Sequence, residues 1–162
     1  MTLSDVLLVI DMQTGLSDTV DYASVLTKVS ARIEQYHSAK RPVVFMQHTD
    51  DELVYGSAAW QLAPQLPRQA VDRVILKTHS DSFFETGLAD YLRRLQVKQV
   101  EVCGLQTEYC VDTAIRVGHF CGFQMMMIRG NSTTYDANGL TAAQIRQHHE
   151  SIWDGSFATL ID

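Results

Sequence analysis

The sequence lacks long apolar runs, an excess of basic residues and a leader-like N-terminus, and each absence removes a class of protein. No apolar stretch in the 162 residues approaches the roughly 20 that a membrane helix requires, so we expect no membrane partner. Only 13 lysines and arginines face 19 acidic residues, and the net charge of −6 argues against a nucleic-acid partner. The first residues also lack the basic region and cleavage site of a signal peptide.

Cysteine and glycine patterns exclude two further classes of site. The three cysteines, Cys103, Cys110 and Cys121, leave at least one thiol unpaired and are not spaced like zinc ligands. No glycine-rich nucleotide fingerprint is present. We therefore expect a reduced, cytoplasmic protein with no cofactor and no metal.

Short apolar runs alternate with helical periodicities along the whole chain. The pattern predicts strands at 6–10, 43–47, 71–77, 99–103, 123–128 and 157–161, and helices at 21–40, 85–95, 109–121 and 140–153. Leu95 is expected on the inward face of the second helix, and Thr141 is expected to cap the last one, with Gln144 three residues on. Alternating strands and helices predict a parallel sheet covered on both faces, an α/β fold. Because no linker or repeat interrupts the pattern, we expect one domain over 1–162.

Three chemically active residues stand at or after predicted strand ends, where ligands bind in such sheets. Asp11 follows the first strand, Lys77 ends the third, and Cys110 opens the helix after the fourth. Each has an ordinary alternative: a helix cap for the aspartate, a solvated strand end for the lysine, a small buried hydrophobe for the cysteine. Together they predict one crevice.

An acid, a lysine and a cysteine together supply the groups that a nucleophilic site needs. A carboxylate can take the proton of a thiol that attacks a carbonyl and later return it to a leaving amine. A lysine cation helps the carboxylate and the thiolate stay ionised, and a helix N-terminus favours the thiolate as well. Backbone N–H groups of the tight turn before Cys110 can stabilise an oxyanion.

Three motifs in register resemble the isochorismatase-like cysteine hydrolases across essentially the whole chain. They are Val9-Ile10-Asp11-Met12-Gln13, then Lys77 with Phe83 six residues on, then Gly104-x-x-Thr107-x-x-Cys110-Val111. The resemblance implies a Rossmann-like, three-layer α/β/α fold with a six-stranded parallel sheet ordered 3-2-1-4-5-6.

The resemblance also implies roles for individual residues. Asp11 matches the catalytic acid/base of the family, Lys77 the catalytic lysine and Cys110 the nucleophile. The backbone N–H groups of Gln106 and Cys110 match the oxyanion hole, and Leu105–Gln106 matches a peptide that is commonly cis.

Two local stretches narrow the resemblance to one branch. Residues 133–136 and His148-His149 are most similar to the streptothricin-hydrolase-like branch of amidases. Nicotinamidases carry an Asp-x-His metal motif after the second strand, whereas here Asp50 follows His48. No metal-assisted site is therefore expected, and His48 is expected to be structural, with one ring nitrogen bonded to backbone.

Four residues are candidates for binding the substrate: Gln13, Leu16, Trp60 and Tyr135. Gln13 matches a family residue near the catalytic aspartate. Trp60 lies in a long irregular stretch over 48–68, where an aromatic either lines the pocket or anchors the loop.

The predicted function is hydrolysis of an amide or related C–N bond of a small molecule, through a thioester on Cys110. Isochorismate-type vinyl-ether hydrolysis is the alternative reaction, although it does not need the cysteine. A non-catalytic protein that binds a small molecule is the alternative of another class. Relatives commonly form dimers or tetramers, so the resemblance implies a homo-oligomer.

Overall fold

A computed structural model describes residues 3–162, in which parallel strands form a sheet between two layers of helices. The predicted domain over 1–162 includes Met1 and Thr2, which lie outside the described residues. The strands are β1 (Val6–Ile10), β2 (Val43–His48), β3 (Arg73–Lys77), β4 (Gln99–Leu105), β5 (Gln124–Ile128), β6 (Ser132–Thr133) and β7 (Ala158–Ile161). The helices are α1 (Tyr22–Ser38), α2 (Leu88–Arg94), α3 (Asp112–Phe120) and α4 (Ala142–Trp153).

The sheet has the strand order β3-β2-β1-β4-β5-β7, and all of its pairs are parallel. The predicted six-stranded order is confirmed, because β7 is the strand predicted as the sixth. The two-residue strand β6 was not predicted, and it pairs with Gly104 and Leu105 at the end of β4. β5 pairs instead with the first half of β4, so the end of β4 turns away from β5 close to the predicted site.

The centre of the sheet is buried on both faces. Every residue of β1 is inaccessible to solvent. Leu8 and Ile10 pack on one face with residues of α2 and α3, whereas Leu7 and Val9 pack on the other face with α1. Burying each such side chain contributes about 1.5–3 kcal/mol, so the position of β1 is firmly fixed. The residues that follow β1 are therefore held rigidly.

The first helix forms because apolar residues recur on one side of it. Val25, Val29, Ile33 and Tyr36 are buried against the sheet, as predicted from their spacing. The buried Arg32 on the same helix forms two hydrogen bonds with Glu101 of β4, at 2.7 and 2.6 Å. This ion pair joins α1 to the strand that leads to Cys110.

Two boundary predictions were wrong for backbone reasons. The second helix begins at Leu88 and not at residue 85, because Gly87 precedes it in the left-handed conformation at φ 72°. Leu95, predicted to point inward, follows the last helical residue, Arg94, and is exposed. β3 begins at Arg73 and not at residue 71, since Val71 lies in an exposed turn.

The predicted cap of the last helix is confirmed, although the helix begins at Ala142 and not at residue 140. The Thr141 side chain accepts the N–H of Gln144, and the Gln144 side chain accepts the N–H of Thr141. The 49–72 stretch contains no helix or strand, and its residues Leu62 and Leu66 pack onto the α1 side of the core. Within residues 3–162, no helix combines the length and the apolar content of a membrane span.

Candidate active site

Four strand ends meet at one edge of the sheet. Ile10 at the end of β1 pairs with Met46 of β2 on one side and with Gly104 of β4 on the other. His48 and Lys77, the last residues of β2 and β3, pair with each other. Because parallel strands place their carboxyl ends together, the residues that follow β1 and β4 face the ends of β2 and β3.

Lys77 lies at the centre of this edge, and its side chain is inaccessible to solvent. Its ammonium nitrogen lies 2.8 Å from Asp11 Oδ2, 3.2 Å from Cys110 Sγ and 3.0 Å from His48 Nδ1. The carbonyl oxygen of His79 is a fourth acceptor, at 3.2 Å. The structure thus brings the three predicted residues together and adds His48 to them. Contrary to the ordinary alternative for a lysine at a strand end, the ammonium does not reach solvent.

Asp11 follows β1 in the left-handed conformation, at φ 50°, which aspartate tolerates better than most residues. Its backbone N–H donates to the Met46 carbonyl at 3.1 Å, which fixes the turn against β2. One carboxylate oxygen accepts from Lys77. The other, Oδ1, is buried without a hydrogen-bond donor of its own among residues 3–162. The neighbouring group that can supply one is the Cys110 thiol.

Cys110 lies in a wide helical turn, Thr107–Val111, that precedes α3. Burial, followed by the negative charge of Asp11, raises the pKa of the Cys110 thiol to about 12, although Lys77 acts in the opposite direction. The lysine and the helix N-terminus, which the sequence shows as favouring a thiolate, therefore do not decide the resting state of Cys110. Burial and the carboxylate outweigh the lysine and the helix N-terminus, so the resting group is a thiol.

The turn before Cys110 is shaped by close contact between β1 and β4. The Leu105–Gln106 peptide is cis. Gly104, at φ 117°, precedes it, and a Cβ atom there would lie 2.1 Å from the carbonyl oxygen of Ile10. Only glycine permits this approach. The Gln106 carbonyl then accepts the N–H groups of Tyr109 and Val111, which flank Cys110, at 3.2 and 3.1 Å.

His48 connects the buried lysine to a more exposed acid. Its Nδ1 faces Lys77, and its Nε2 lies 3.2 Å from Asp50 Oδ2. Since an ammonium only donates, Nδ1 accepts from Lys77 and the ring proton belongs on Nε2, towards Asp50. Burial and the charge of Lys77 lower the pKa of His48. The predicted ring-to-backbone hydrogen bond was wrong, because both ring nitrogens contact side chains.

Asp11, His48 and Cys110 are also residue types that bind metals. One ligand-type atom from each lies within 4.8 Å of the others. The Lys77 ammonium lies within hydrogen-bonding distance of all three residues. A positive charge is therefore already in place among these groups, and a metal ion would have to displace it.

A cavity of about 220 Å³ opens onto these groups. Among the predicted site residues, Asp11, Leu16, Gln106 and Cys110 line it. It is smaller than the roughly 300–1,000 Å³ of pockets for drug-sized ligands. A larger cavity of about 800 Å³ lies beside Pro42 and Val97, at the opposite edge of the sheet, and contains none of these groups.

The other predicted substrate contacts lie away from the cavity lining. Gln13 is fully buried, and its side-chain amide bonds the N–H and carbonyl of His48 and the carbonyl of Trp60. The Trp60 indole donates to Thr49 Oγ1 at 2.9 Å. The Tyr135 hydroxyl donates to Asp18 at 2.5 Å. In this structure Gln13 links the backbones of Trp60 and His48, and His48 lines the cavity.

Several lining residues were not predicted as site residues. Asp50, Glu52 and Leu53 come from the irregular stretch after β2. Ser80 lies three residues after Lys77, and Tyr109 directly precedes Cys110. The position of Asp50, two residues after a strand end, was a usable signal. Nothing in the local sequence marks Glu52, because acids in loops are usually only solvated.

Comparisons with known proteins show the family to which the chain is similar. A model of the isochorismatase domain matches residues 5–161. A crystal structure of an isochorismatase family protein is 42% identical, with a TM-score of 0.93, and the match covers 97% of each chain. At that identity and coverage, the similarity includes the sequence as well as the fold.

Two curated relatives are more distant. A streptothricin hydrolase from Streptomyces noursei is 27% identical over 80% of this chain and 50% of its own length. A secreted isochorismatase effector, Isc1, from Verticillium dahliae is 25% identical over 72% of this chain and 64% of its own length. The chain thus spans between half and two thirds of these relatives.

Proposed function

Because the chain belongs to the isochorismatase family, we propose that it is a cysteine hydrolase that cleaves an amide or related C–N bond of a small molecule. One observation carries the proposal. The Lys77 ammonium contacts both the Asp11 carboxylate and the Cys110 thiol, at 2.8 and 3.2 Å, next to a small cavity. A base, a cation and a nucleophile within one hydrogen-bonding network are the parts that acyl transfer to a thiol requires.

The first step joins proton transfer to attack. With a pKa of about 12 the Cys110 thiol is protonated at neutral pH. Asp11 takes the S–H proton as sulfur bonds to the substrate carbonyl carbon, and the carbonyl π electrons move onto oxygen. Protonation of Asp11 removes the negative charge that raised the pKa of the thiol, and Lys77 stabilises the sulfur electrostatically as it attacks.

The turn before Cys110 supplies donors for the oxyanion. We assign this role to the backbone N–H groups of Gln106 and Cys110. The Gln106 carbonyl accepts the N–H groups of Tyr109 and Val111 and not that of Cys110, which supports an available Cys110 donor. Collapse of the intermediate breaks the C–N bond, and Asp11 returns its proton to the leaving amine.

Water completes the cycle. It attacks the thioester carbonyl carbon, Asp11 accepts a proton from the water, and the C–S bond breaks. The released sulfur is reprotonated from Asp11, which restores the resting thiol. Each proton that Asp11 accepts is thus released again within the cycle, and no cofactor is required.

The thioester is the species that tests this function. We expect rapid quenching during turnover of an amide to leave an acyl group on Cys110 in a peptide mass map, and hydroxylamine to release it as a hydroxamate. Cys121→Ser should keep both signals and Cys110→Ala should lose both. Full turnover by Cys110→Ala, with Asp11→Ala inactive, would favour vinyl-ether hydrolysis instead. Specific binding without turnover would favour a non-catalytic protein.

The assembly and the compartment stay predictions. We retain the proposal that the chain forms a homo-oligomer, acts in the cytoplasm on a small molecule, and binds neither nucleic acid nor membrane. The Phe120 ring is exposed and lies 6.1 Å from the ring of Phe157. These two aromatic rings are our candidate for a surface that contacts another subunit. Light scattering of wild type and Phe120→Ser tests whether that surface joins subunits.

A further inference from the structure

Resting on the proposed amide hydrolysis, we propose that the site selects small amides that carry a positive charge, an ammonium or a guanidinium, held by Asp50 and Glu52. The cavity lining contains three carboxylates, those of Asp11, Asp50 and Glu52, and no lysine or arginine from residues 3–162. Asp11 is compensated by Lys77. The charges of the other two remain for a ligand to neutralise.

The charge of Asp50 is not cancelled by its neighbour. Its Oδ2 faces His48 Nε2 at 3.2 Å. Since the ammonium of Lys77 donates to the other ring nitrogen, the imidazole is neutral in this arrangement. Asp50 Oδ1 accepts the N–H groups of Glu52 and Leu53 at 2.9 and 2.7 Å. This turn fixes the Asp50 carboxylate on the wall while leaving it partly exposed.

Glu52 adds a second negative charge beside the first. It is exposed, and no hydrogen bond or ion pair engages its side chain within residues 3–162. Burial and the carboxylates of Asp18 and Glu52 raise the pKa of the Tyr135 hydroxyl to about 12. The Tyr135 hydroxyl stays protonated and donates to Asp18, and the Asp18 carboxylate adds to the negative potential around Glu52.

The buried end of the cavity determines where the substrate carbonyl lies. Asp11 Oδ1 is buried and lacks a donor, and it lines the same cavity as Cys110 Sγ. The reacting amide belongs at this end. At about 220 Å³, the cavity holds only a short spacer between that amide and a cation at the acidic mouth. A cleft lined by negative charges concentrates cationic ligands. A dianion such as isochorismate would be repelled.

Two isosteric series of amides test the charge preference. With the charge on the acyl side, these are 3-aminopropanamide, butanamide and succinamate. With the charge on the leaving side, they are N-(2-aminoethyl)acetamide, N-propylacetamide and N-acetyl-β-alanine. In at least one series we expect kcat/KM to be about tenfold higher for the cation than for the neutral isostere, and lowest for the anion. Raising the salt concentration from about 20 to about 300 mM should reduce kcat/KM for the cation and should leave kcat/KM for the neutral isostere unchanged.

Variants at the mouth separate charge from structure. Glu52→Gln should lower kcat/KM for the cation severalfold more than for the neutral isostere, and Glu52→Lys should reverse the order of cation and anion. Glu34→Gln, an exposed glutamate on α1, is the matched control and should change neither value. Because the Glu52 side chain forms no hydrogen bond or ion pair within residues 3–162, its variants should fold normally.

A binding measurement distinguishes failure of this inference from failure of the proposed function. Calorimetry on Cys110→Ala should show the cationic amide binding about tenfold more tightly than its neutral isostere, with the difference reduced severalfold in Cys110→Ala/Glu52→Gln. Cys110-dependent turnover that is equal for cation and neutral isostere would overturn the charge preference and leave the hydrolase standing. Absence of Cys110-dependent turnover alongside selective cation binding would overturn the hydrolase instead. Equal binding of all three charge types would also overturn the preference.

Discussion

Lys77 and Asp11 form an ion pair at 2.8 Å, and both side chains are buried. Removing one partner of a buried pair leaves an uncompensated charge, which typically costs about 3–5 kcal/mol. We expect Lys77→Met to lower the free energy of unfolding by that amount, as measured by urea denaturation. The activity should be lost as well.

The double variant Lys77→Met/Asp11→Asn is the control for this loss. It removes both charges, so it should regain most of the stability lost in Lys77→Met while staying inactive. If the single and double variants were equally unstable, the ion pair would not be the cause. Lost packing of the lysine side chain would then be the explanation.

The strand ends could be predicted from sequence because they depend on local pattern and topology. Asp11, Lys77 and Cys110 each follow or end an apolar run, and a parallel sheet must place such residues at one edge. Asp50, two residues after β2, could have been found by the same signal, but the contacts of the His48 ring and the place of Glu52 could not be predicted in this way. Their roles depend on side-chain direction and on the path of the irregular 49–72 stretch.

The protonation of Cys110 depends on a balance that sequence does not contain. A helix N-terminus and a lysine both favour a thiolate, whereas burial and Asp11 disfavour it more strongly. The depth of the thiol and its place beside the carboxylate decide the sign. The prediction for Leu95 was wrong for a similar reason. Helical spacing placed its side chain inward, but the helix ends at Arg94, before it.

Asp11→Asn should make Cys110 more reactive towards alkylation while abolishing amide turnover. Asn removes the carboxylate charge that raises the pKa of the thiol and leaves Lys77, which lowers it. A one-unit fall in pKa gives about tenfold more thiolate well below that pKa. We expect iodoacetamide to modify Cys110 about tenfold faster at pH 8, measured by mass spectrometry in a Cys121→Ser background.

A slower or unchanged alkylation rate in that variant would contradict the raised pKa of the resting thiol. Cys103 serves as an internal control, because burial raises its pKa well above the ordinary value and Asp11 is not among the groups that affect it. Its modification should stay negligible in both proteins.

His48 should make the protein less stable in mild acid. Burial and Lys77 lower its pKa in the folded state below about 6.5, the value in an unfolded chain. Between these two values the unfolded chain binds more protons, so stability falls as the pH drops below about 6.5. Urea unfolding between about pH 5 and pH 7 should show a shallower pH dependence in His48→Asn, whose side-chain oxygen can still accept from Lys77.

His148→Gln is the matched control for this pH dependence, because His148 is an exposed histidine on α4. Its variant should retain the slope of the wild type. Equal slopes in wild type and His48→Asn would show that the imidazole does not carry the acid sensitivity.

Gly104→Ala should disrupt the site through the backbone. An alanine Cβ would meet the Ile10 carbonyl oxygen at 2.1 Å, so β1 and β4 would have to separate. Gly122 is the matched control, since it also has a positive φ, 93°, but no atom lies within 4 Å of an added Cβ. Gly122→Ala should cost only the backbone strain, about 1–2 kcal/mol, whereas Gly104→Ala should cost about 4 kcal/mol or more. Similar losses in the two variants would mean that strain alone, and not the contact between β1 and β4, requires glycine before the nucleophile turn.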